Sequence, residues 1–273
     1  MGLVTDLRNA LGQRAIRARY RRVYGQEVPD VPRTFTDKLF HRMLNWHGGL
    51  MPDEVPSLVD KYTVREHVRS TIGERYLIPC LWDGAALDEI DWRDLPRQTV
   101  LKPTHMSGKH LLVRDQDHFD LIDESERWLN TNWYHHAREI QYRDLQPGLM
   151  LERQLIPESG PLYDYKFWCF GGQVKVIHVD EPTRSINPFF DRNWTLLDLH
   201  YRPHAERPAL PRPGQLDEMI EIAEALAEGY GFVRIDLYCV NGHIYFGEYT
   251  FTPTAGSFPL LGDGWEERLG VWW

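Results

Sequence analysis

Two carboxylates in the last third of the chain have a spacing that could hold a divalent cation. Asp236 and Glu248 lie on two apolar runs within residues 233–253, and the runs meet at Asn241-Gly242, a pair typical of a β-hairpin turn. Because side chains alternate between the faces of a strand, the register of the hairpin decides whether both acids share a face. Mg²⁺ prefers a few carboxylates together with substrate phosphates. On a shared face, the pair would therefore form a magnesium site.

Two registers are open for this hairpin, and they place the acids differently. A two-residue turn makes Asp236 oppose Gly247, so that its side chain points away from Glu248. A three-residue loop makes Asp236 oppose Phe246, and the two acids then share a face as diagonal neighbours, roughly 7–8 Å apart. We predict the second register. The structural alternative for the acids is an ion pair between Glu248 and Arg234, which face each other in that register.

Lysines on two strand-like segments could meet the phosphates of such a site. The run QTVLKP contains Lys102, and the small-residue loop THMSGKH that follows contains Ser107, Gly108 and Lys109. Loop amides and ammonium groups together suit a polyphosphate, but the sequence is not the GxxxxGK[ST] pattern of a P-loop. An exposed hairpin tip is the alternative. Lys166 alternates with apolar residues in DYKFWCF, where a buried ammonium group needs an anion or a carboxylate beside it.

The segments around these residues show helical and strand-like patterns. Helices are predicted at residues 3–24, 36–46, 59–72, 120–133 and 216–228. Strands are predicted at residues 76–81, 98–103, 111–113 and 148–157, with a further hairpin around Gly171-Gly172. Residues 180–213 are dense in proline, arginine and aromatic residues and lack regular periodicity. This span is therefore predicted to be a functional loop or lid.

The composition is that of an ordinary globular protein, with 42% hydrophobic and 26% charged residues in a chain of 273. Its net charge of −9 argues against a nucleic-acid partner, since that affinity depends on neutralising phosphates. The three cysteines are far apart and form no CxxC pair, which indicates a reducing, cytoplasmic compartment. No apolar run is long enough to span a bilayer, and the N-terminus lacks the apolar core of a signal peptide.

The first predicted helix is strongly basic within this acidic protein. Its arginines are Arg8, Arg14, Arg17, Arg19, Arg21 and Arg22. Such a helix could make a peripheral contact with the inner membrane, on anionic lipid, or bind a polyanionic partner. The alternative is a solvated basic face packed on an acidic body.

The order and spacing of these segments resemble the ATP-grasp superfamily and, within it, the teichuronopeptide-biosynthesis (TupA-like) branch, from about residue 32 nearly to the C-terminus. The segments that carry the resemblance are DKYTVREHV, YLIPCL, VLKPTHMSGKHLLVRD, MLERQLI, DYKFWCFGGQVKVIHVD, DEMIEIAEALAEG and FVRIDLYCVNGHIYFGEYTFTP. The resemblance implies an α+β ATP-grasp fold in which two α+β subdomains clamp ATP, preceded by a basic N-terminal helix. The implied parts are the helix and linker (1–31), an N-terminal ATP-grasp portion (32–97), a lid subdomain with the phosphate loop (98–155) and a C-terminal subdomain with the metal-binding hairpin (156–273).

The resemblance also implies a set of ligand-binding residues. ATP would be bound by Lys61, Arg65, Lys102, Ser107, Gly108, Lys109, Met150, Leu151, Glu152, Leu155 and Lys166, with residues 150–155 as the hinge that touches adenine. Mg²⁺ would be bound by Asp236, Glu248 and Thr250, and the catalytic residues would be Lys166 and Arg184. Two positions depart from the family pattern: Met106 stands where many relatives have glycine, and Thr250 stands where many have asparagine.

The chemistry that the resemblance implies is the ATP-dependent ligation of a carboxylate to an amine through an acyl phosphate. The substrates implied by the branch are an amine and a small-molecule, glycan or peptide carboxylate, in cell-envelope or capsular polysaccharide or teichuronopeptide-type biosynthesis. Two alternatives stay open. One is an ATP-dependent kinase of a sugar hydroxyl, and the other is a nucleotide- or glycan-binding subunit without catalysis.

Overall fold

The computed structural model describes residues 2–87, 90, 92, 95–96, 98–113 and 118–273. The chain divides into two compact units, a smaller one of Asp53–Ile156 and a larger one of Met1–Pro52 together with Pro157–Trp273. Each unit contains an antiparallel sheet and helices, so the fold is α+β, as predicted. The functional division with boundaries at residues 32, 98 and 156 stays a prediction.

Helices fill the first part of the described chain, and most of the strands come after them. The helices are α1 (Gly2–Tyr24), α2 (Phe35–Asn45), α3 (Val55–Val59), α4 (Val64–Thr71), α5 (His118–Leu129), α6 (Tyr134–Ala137), α7 (Leu216–Leu226) and α8 (Trp265–Trp272). The strands are β1 (Cys80–Gly84), β2 (Thr99–Pro103), β3 (Leu111–Leu112), β4 (Leu149–Arg153), β5 (Asp164–Phe170), β6 (Gln173–Asp180), β7 (Phe189–Asp191), β8 (Leu196–Leu197), β9 (Phe232–Val240) and β10 (His243–Thr250). The strand order is β1-β4-β2-β3 in the smaller unit and β10-β9-β5-β6-β7-β8 in the larger one.

One face of the larger unit's sheet is apolar at one end of its strands and charged at the other end. On β5, Trp168 and Phe170 lie in an apolar core that also contains Phe35 from α2 and Phe232 from β9. The ring centroids of Phe35 and Trp168 are 5.2 Å apart, and Trp168 is fully buried. Because side chains alternate along a strand, Lys166 lies on the same face as Trp168. The apolar end of this face therefore fixes the strands whose other end carries charged residues.

The single helix predicted over residues 59–72 is wrong, because the chain turns at Asp60. Asp60 Oδ1 accepts hydrogen bonds from the backbone N–H groups of Tyr62 and Thr63, each 2.9 Å long. Aspartate side chains that bond to nearby backbone in this way favour turns over helix interiors. Lys61 therefore lies in a turn between α3 and α4.

Two other predictions from the sequence need correction. The strand predicted at residues 76–81 begins only at Cys80, since a 3₁₀ turn precedes it. The span predicted as a loop at residues 180–213 contains two short strands, β7 and β8, which extend the sheet. Phe189 and Phe190 are buried there. Strands of two or three residues are too short to show alternation in a sequence, so the pattern could not reveal them.

The β9–β10 hairpin turns more tightly than we predicted. Val240 pairs with His243, so Asn241 and Gly242 form a two-residue turn. Both turn residues have positive φ angles, 52° and 82°, as the primed turns of tight hairpins require. The predicted three-residue loop is therefore wrong.

A β-bulge at Gly247 then shifts the pairing by one residue. Phe246 pairs with Leu237, whereas Glu248 pairs with Asp236. The extra residue brings both acids to one face as directly opposed neighbours, with Cβ atoms about 4.5–5.5 Å apart. The predicted shared face is confirmed, and the bulge rather than the turn is its cause.

Replacing Gly247 with alanine should destabilise the hairpin. An added Cβ would lie 3.0 Å from the carbonyl oxygen of Asp236 and 3.2 Å from the ring of Tyr238. We expect the free energy of unfolding to fall by about 1–3 kcal/mol, the usual effect of overpacking, in a urea titration. Gly214→Ala is the matched control, because no atom lies within 4 Å of its added Cβ. Equal stability of the two variants would contradict the bulge.

Candidate active site

Charged side chains from β5, β9 and β10 form a cluster beyond the apolar core, on the same face of the sheet. Asp236 is 2% exposed and Lys166 is 8% exposed, and the two residues pair across β9 and β5. Glu248 enters the cluster from β10, opposite Asp236. An ionised group at this depth costs several kcal/mol unless opposite charges and hydrogen bonds surround it. The contacts of this cluster show how that cost is offset.

Arg234 joins the two acids of the hairpin. Its Nε and Nη2 atoms donate to the two carboxylate oxygens of Asp236, each at 2.6 Å. The same Nη2 atom donates to Glu248 Oε1 at 3.2 Å and to Thr250 Oγ1 at 3.0 Å. The ion pair between Arg234 and Glu248, which was the structural alternative to a metal site, is thus present, and Arg234 pairs with Asp236 as well. Oxygen atoms of three side chains converge on one cation.

Lys166 is held between two aspartates. Its Nζ donates to Asp236 Oδ2 at 3.1 Å and also to Asp164 Oδ2. The other oxygen of Asp164, Oδ1, is buried and has no hydrogen-bond partner among the described residues. We did not identify Asp164 from the sequence. Its position two residues before Lys166 on a strand was the available signal, because that spacing puts both side chains on one face.

Burial and pairing act in opposite directions on the protonation of these groups. Burial alone would raise the pKa of Asp236, but Arg234 and Lys166 hold it below its ordinary value. Burial would lower the pKa of Lys166, but Asp164 and Asp236 raise it above its ordinary value. At Asp164 burial dominates and raises the pKa to about 6 in spite of Lys166. At neutral pH, a charged lysine and a charged arginine are therefore held among ionised carboxylates.

The oxygen atoms around Arg234 are of the kind that Mg²⁺ accepts. Asp236 and Glu248 offer carboxylates and Thr250 offers a hydroxyl, all within hydrogen-bond distance of one guanidinium nitrogen. Mg²⁺ is usually held by one or two carboxylates and completes its shell with substrate phosphates and water. Within the described residues, no group of three or more acid, histidine or cysteine side chains forms a metal site. Two carboxylates and a hydroxyl are donors that suit an ion whose shell is completed by phosphate and water.

Strand β6 and the segment after it add residues that the sequence did not reveal. His178 pairs in register with Lys166 and is buried, and its Nε2 accepts a hydrogen bond from the amide of Asn187 at 2.6 Å. Arg202 donates to both carboxylate oxygens of Asp180, each at 3.2 Å. Arg202 reaches the sheet from a loop, so no spacing in the sequence links it to its partner.

The predicted catalytic residue Arg184 projects from a turn that Glu181 organises. The Glu181 carboxylate accepts hydrogen bonds from Thr183 N and Oγ1, each at 2.6 Å, and from Ser185 N at 2.7 Å. Burial alone would raise the pKa of Glu181, but these bonds lower it to about 2. Arg184 is exposed and has a φ of 56°, a conformation that a non-glycine residue keeps only where its surroundings impose it. Its catalytic role stays a prediction.

In the smaller unit, Glu152 contacts two of the cations predicted to bind the nucleotide. It is buried, and Lys102 Nζ donates to its Oε2 at 2.6 Å. Arg65 Nη1 donates to its Oε1 at 3.4 Å. Lys61 Nζ donates to the backbone carbonyl of Met106, in the loop between β2 and β3. Four of the predicted nucleotide-binding residues are thus tied to one another or to this loop.

The loop between β2 and β3 is anchored at Met106. Met106 is buried in the apolar core of the smaller unit. Ser107 is half-buried, whereas Gly108 and Lys109 are exposed. Gly108 has a φ of 68°, a left-handed conformation that favours glycine. Met106 therefore fixes the loop in the core, whereas the backbone of Gly108 and the ammonium group of Lys109 face solvent.

The predicted adenine hinge lies on β4 and the residues that follow it. Met150 and Leu151 have no exposed surface. Leu155, after the end of the strand, is half-buried. The contact of these three side chains with adenine stays a prediction.

Comparison with known families and structures gives the following matches. The family model described as TupA-like ATPgrasp matches residues 37–271. D-alanine–D-alanine ligase from Bacillus anthracis, in complex with ATP, is 15% identical with a TM-score of 0.41, covering 71% of this chain and 54% of that one. L-amino acid ligase from Bacillus licheniformis is 17% identical with a TM-score of 0.46, covering 77% and 47%. This chain thus spans about half the length of these two proteins. No curated protein sequence matches it.

Replacing Lys166 with methionine should lower the free energy of unfolding by about 3–5 kcal/mol, because the buried carboxylates of Asp164 and Asp236 lose their shared cation. Adding Asp164→Asn should recover part of that loss, since the buried charge of Asp164 is then removed. A double-mutant cycle by urea denaturation at neutral pH should give a coupling of about 1–3 kcal/mol.

The matched control for this cycle is Lys175→Met, at a lysine that donates to Gln173 at the surface of the same sheet. It should change stability by no more than about 0.5 kcal/mol. Strict additivity of the Lys166 and Asp164 substitutions would contradict the buried pair.

His178 should make the folded state less stable as the pH falls below about 6.5. Burial and the positive charges of Lys166, Arg234 and Arg202 hold the pKa of His178 well below 6.5. Below this pH, the His178 imidazole is protonated in the unfolded chain but stays neutral in the folded chain. This contribution to stability is present above pH 6.5 and is lost as the pH falls, by at most about 1.4 kcal/mol per pH unit.

The substitution His178→Gln isolates this effect, because it keeps a hydrogen-bonding group and removes the titration. The difference in unfolding free energy between the two proteins should change with pH below 6.5 and be constant above it. Asp164, with its raised pKa, contributes in the opposite sense between about pH 4 and 6, but equally in both proteins. A difference that does not vary with pH would show that His178 is protonated equally in the folded and unfolded states.

Proposed function

We propose that this chain, which belongs to the TupA-like ATP-grasp family, is an ATP-dependent ligase that joins a carboxylate to an amine. The family match over residues 37–271 confirms the predicted family and the ATP-grasp fold. The observation that carries the proposed activity is the convergence of Asp236, Glu248 and Thr250 on one cation beside the buried Lys166. Such a donor set suits a polyphosphate that brings a divalent ion with it.

The physical problem in this reaction is the repulsion between two anions. A substrate carboxylate and the γ-phosphate of ATP have to approach each other, so positive charge is needed around the transferred group. Mg²⁺ held by Asp236 and Glu248 would neutralise phosphate charge there. Lys166 supplies a second source of positive charge, because its acidic neighbours keep the buried amine protonated.

In the proposed first step, an oxygen of the substrate carboxylate attacks the γ-phosphorus, and the bond from phosphorus to ADP breaks. An acyl phosphate and ADP are formed. Lys166 would bind a phosphate oxygen in place of one carboxylate partner, and Arg184 would steady the transferred group from its turn. Arg234 would keep Asp236 and Glu248 side by side. These roles are positioning and charge stabilisation, which supply most of the catalysis in phosphoryl transfer.

In the proposed second step, the nitrogen of an amine attacks the acyl carbon. A carbon–nitrogen bond forms, the bond from carbon to the phosphate oxygen breaks, and inorganic phosphate leaves. The amine loses a proton to phosphate or water. The net products are an amide, ADP and phosphate.

The cations of the smaller unit would bind the nucleotide. Lys102 and Arg65 are held by the buried carboxylate of Glu152, so both side chains are ordered before a ligand arrives. The exposed backbone of Gly108 and the ammonium group of Lys109 suit phosphate oxygens, which accept hydrogen bonds from such donors. We assign the α- and β-phosphates to Lys102 and this loop.

The substrates would belong to the assembly of a cell-envelope or capsular polysaccharide, or of a teichuronopeptide-type polymer. The carboxylate would be that of a uronic acid, a glycan or a peptide, and the acceptor an amine or amino acid. The branch of the family supports this assignment. The reaction would take place in the cytoplasm, where ATP is supplied.

Trapping with hydroxylamine tests the proposed activity. A panel of uronic acids and amino acids is incubated with ATP, Mg²⁺ and hydroxylamine, and the correct carboxylate should yield a hydroxamate together with ADP. Asp236→Asn and Glu248→Gln should each slow this reaction by roughly 100-fold or more, since a bound metal contributes several kcal/mol of transition-state stabilisation. Glu228→Gln is the control, because this exposed acid follows α7. Its rate should equal that of the wild type.

Other outcomes would overturn the proposal in distinct ways. Phosphate found on an acceptor hydroxyl, with no hydroxamate, would identify a kinase. Binding of ATP without release of ADP across the panel would identify a subunit that binds nucleotide without catalysis. Full activity of the Asp236 and Glu248 variants would show that the reaction does not take place at this site.

A further inference from the structure

Helix α1 is fixed to the larger unit by one face of its C-terminal half. Ile16 and Tyr20 are buried in the apolar core, and Tyr20 Oη donates to Asp37 Oδ1 at 2.6 Å. Arg19 is buried as well, and its Nη1 donates to the carbonyl of Ala255 at 2.7 Å. The helix therefore has a set orientation, with one face turned inward and the opposite face turned to solvent.

The outward face of α1 combines leucine and arginine. Leu7 is 63% exposed and Leu11 is 57% exposed. Arg14, Ala18 and Arg22 continue the same face at intervals of three or four residues, and all three are exposed. The outward face thus begins with two apolar side chains and ends with two cationic ones. The solvent-exposed face of a helix typically carries charged and polar residues, so two exposed leucines one turn apart are a departure from that pattern.

The charge of this helix is opposite in sign to that of the whole protein. Residues 2–24 contain six arginines and one aspartate, whereas the protein has a net charge of −9. Among the described residues, no ion pair includes Arg8, Arg14 or Arg22. An anionic surface would be attracted to this helix and repelled by the rest of the protein. The attraction would therefore orient the molecule with α1 toward the surface.

We propose that the outward face of α1 docks on the surface of an anionic phospholipid bilayer. Leu7 and Leu11 would enter the boundary between headgroups and acyl chains, and the arginines would lie against lipid phosphates. Among the described helices, none is long and apolar enough to cross a bilayer. The contact is therefore peripheral.

A second copy of the chain fits the outward face of α1 less well than an anionic bilayer does. In a symmetric dimer the same patch meets itself, which would set Arg14 and Arg22 of one copy against those of the other. Two exposed leucines also provide far less apolar area than a stable protein interface buries. An anionic bilayer has neither problem, since its charge complements the arginines and its apolar interior accepts the leucines.

Co-sedimentation of the 273-residue chain with vesicles tests this docking. Wild-type protein should bind vesicles of phosphatidylcholine and phosphatidylglycerol in equal parts, should not bind vesicles of phosphatidylcholine alone, and should detach at high salt. The variant Leu7→Ser with Leu11→Ser should bind at least about tenfold more weakly. The variant Arg14→Gln with Arg22→Gln should bind roughly 10- to 30-fold more weakly at low salt.

The control variant makes the same changes elsewhere on the larger unit. Leu196 is 40% exposed and Arg268 is also exposed, so Leu196→Ser with Arg268→Gln removes one leucine from β8 and one charge from α8. Its vesicle binding should equal that of the wild type. Unfolding midpoints in urea should be unchanged in all variants, because each replaced side chain is at the surface.

Three outcomes would overturn the proposal. If the wild-type protein does not bind the anionic vesicles, or binds neutral vesicles equally well, the arginines do not attract it to an anionic surface. Equal binding by the α1 variants and the control variant would place the contact elsewhere. A concentration-dependent dimer that the leucine variant abolishes, without vesicle binding, would assign this face to a second copy.

Discussion

The buried carboxylate of Asp236 is the constraint on which the rest of the site depends. An ionised acid that is 2% exposed persists only with charged partners, and Arg234 and Lys166 supply them on both oxygens. Lys166 is buried in turn, and Asp164 and Asp236 together hold its pKa above the ordinary value in spite of that burial. Each charged side chain of the site is therefore neutralised by its neighbours. This arrangement exists only while strands β5, β9 and β10 lie side by side.

The arrangement explains how a neutralised cluster can still receive a polyphosphate. Three carboxylates face two cations, so the cluster retains negative charge for an additional cation. Under the proposed function, a divalent ion would take over the neutralisation of Asp236 and Glu248, and Lys166 would become available to a phosphate oxygen. The apolar core at the other end of the same sheet face, around Trp168, holds the strands in place while these contacts change.

The sequence predicted the general plan of this site and missed the details that tertiary contacts decide. We predicted that Asp236 and Glu248 share a face, but from a three-residue loop that is absent. The bulge at Gly247, which pairs them directly, was not predicted, because a glycine in a strand indicates a bulge without fixing its register. Asp60 ended a helix that periodicity alone extended. Arg202 could not be found, since it reaches Asp180 from an irregular segment whose path no local pattern determines.

Calorimetric titration with a non-hydrolysable ATP analogue, with and without Mg²⁺, tests most directly whether the hairpin acids bind a metal together with the nucleotide. We expect Mg²⁺ to strengthen binding to the wild-type protein, and we expect Asp236→Asn and Glu248→Gln each to abolish this strengthening while weak metal-free binding persists. The same gain from Mg²⁺ in all three proteins would contradict a metal site at these acids.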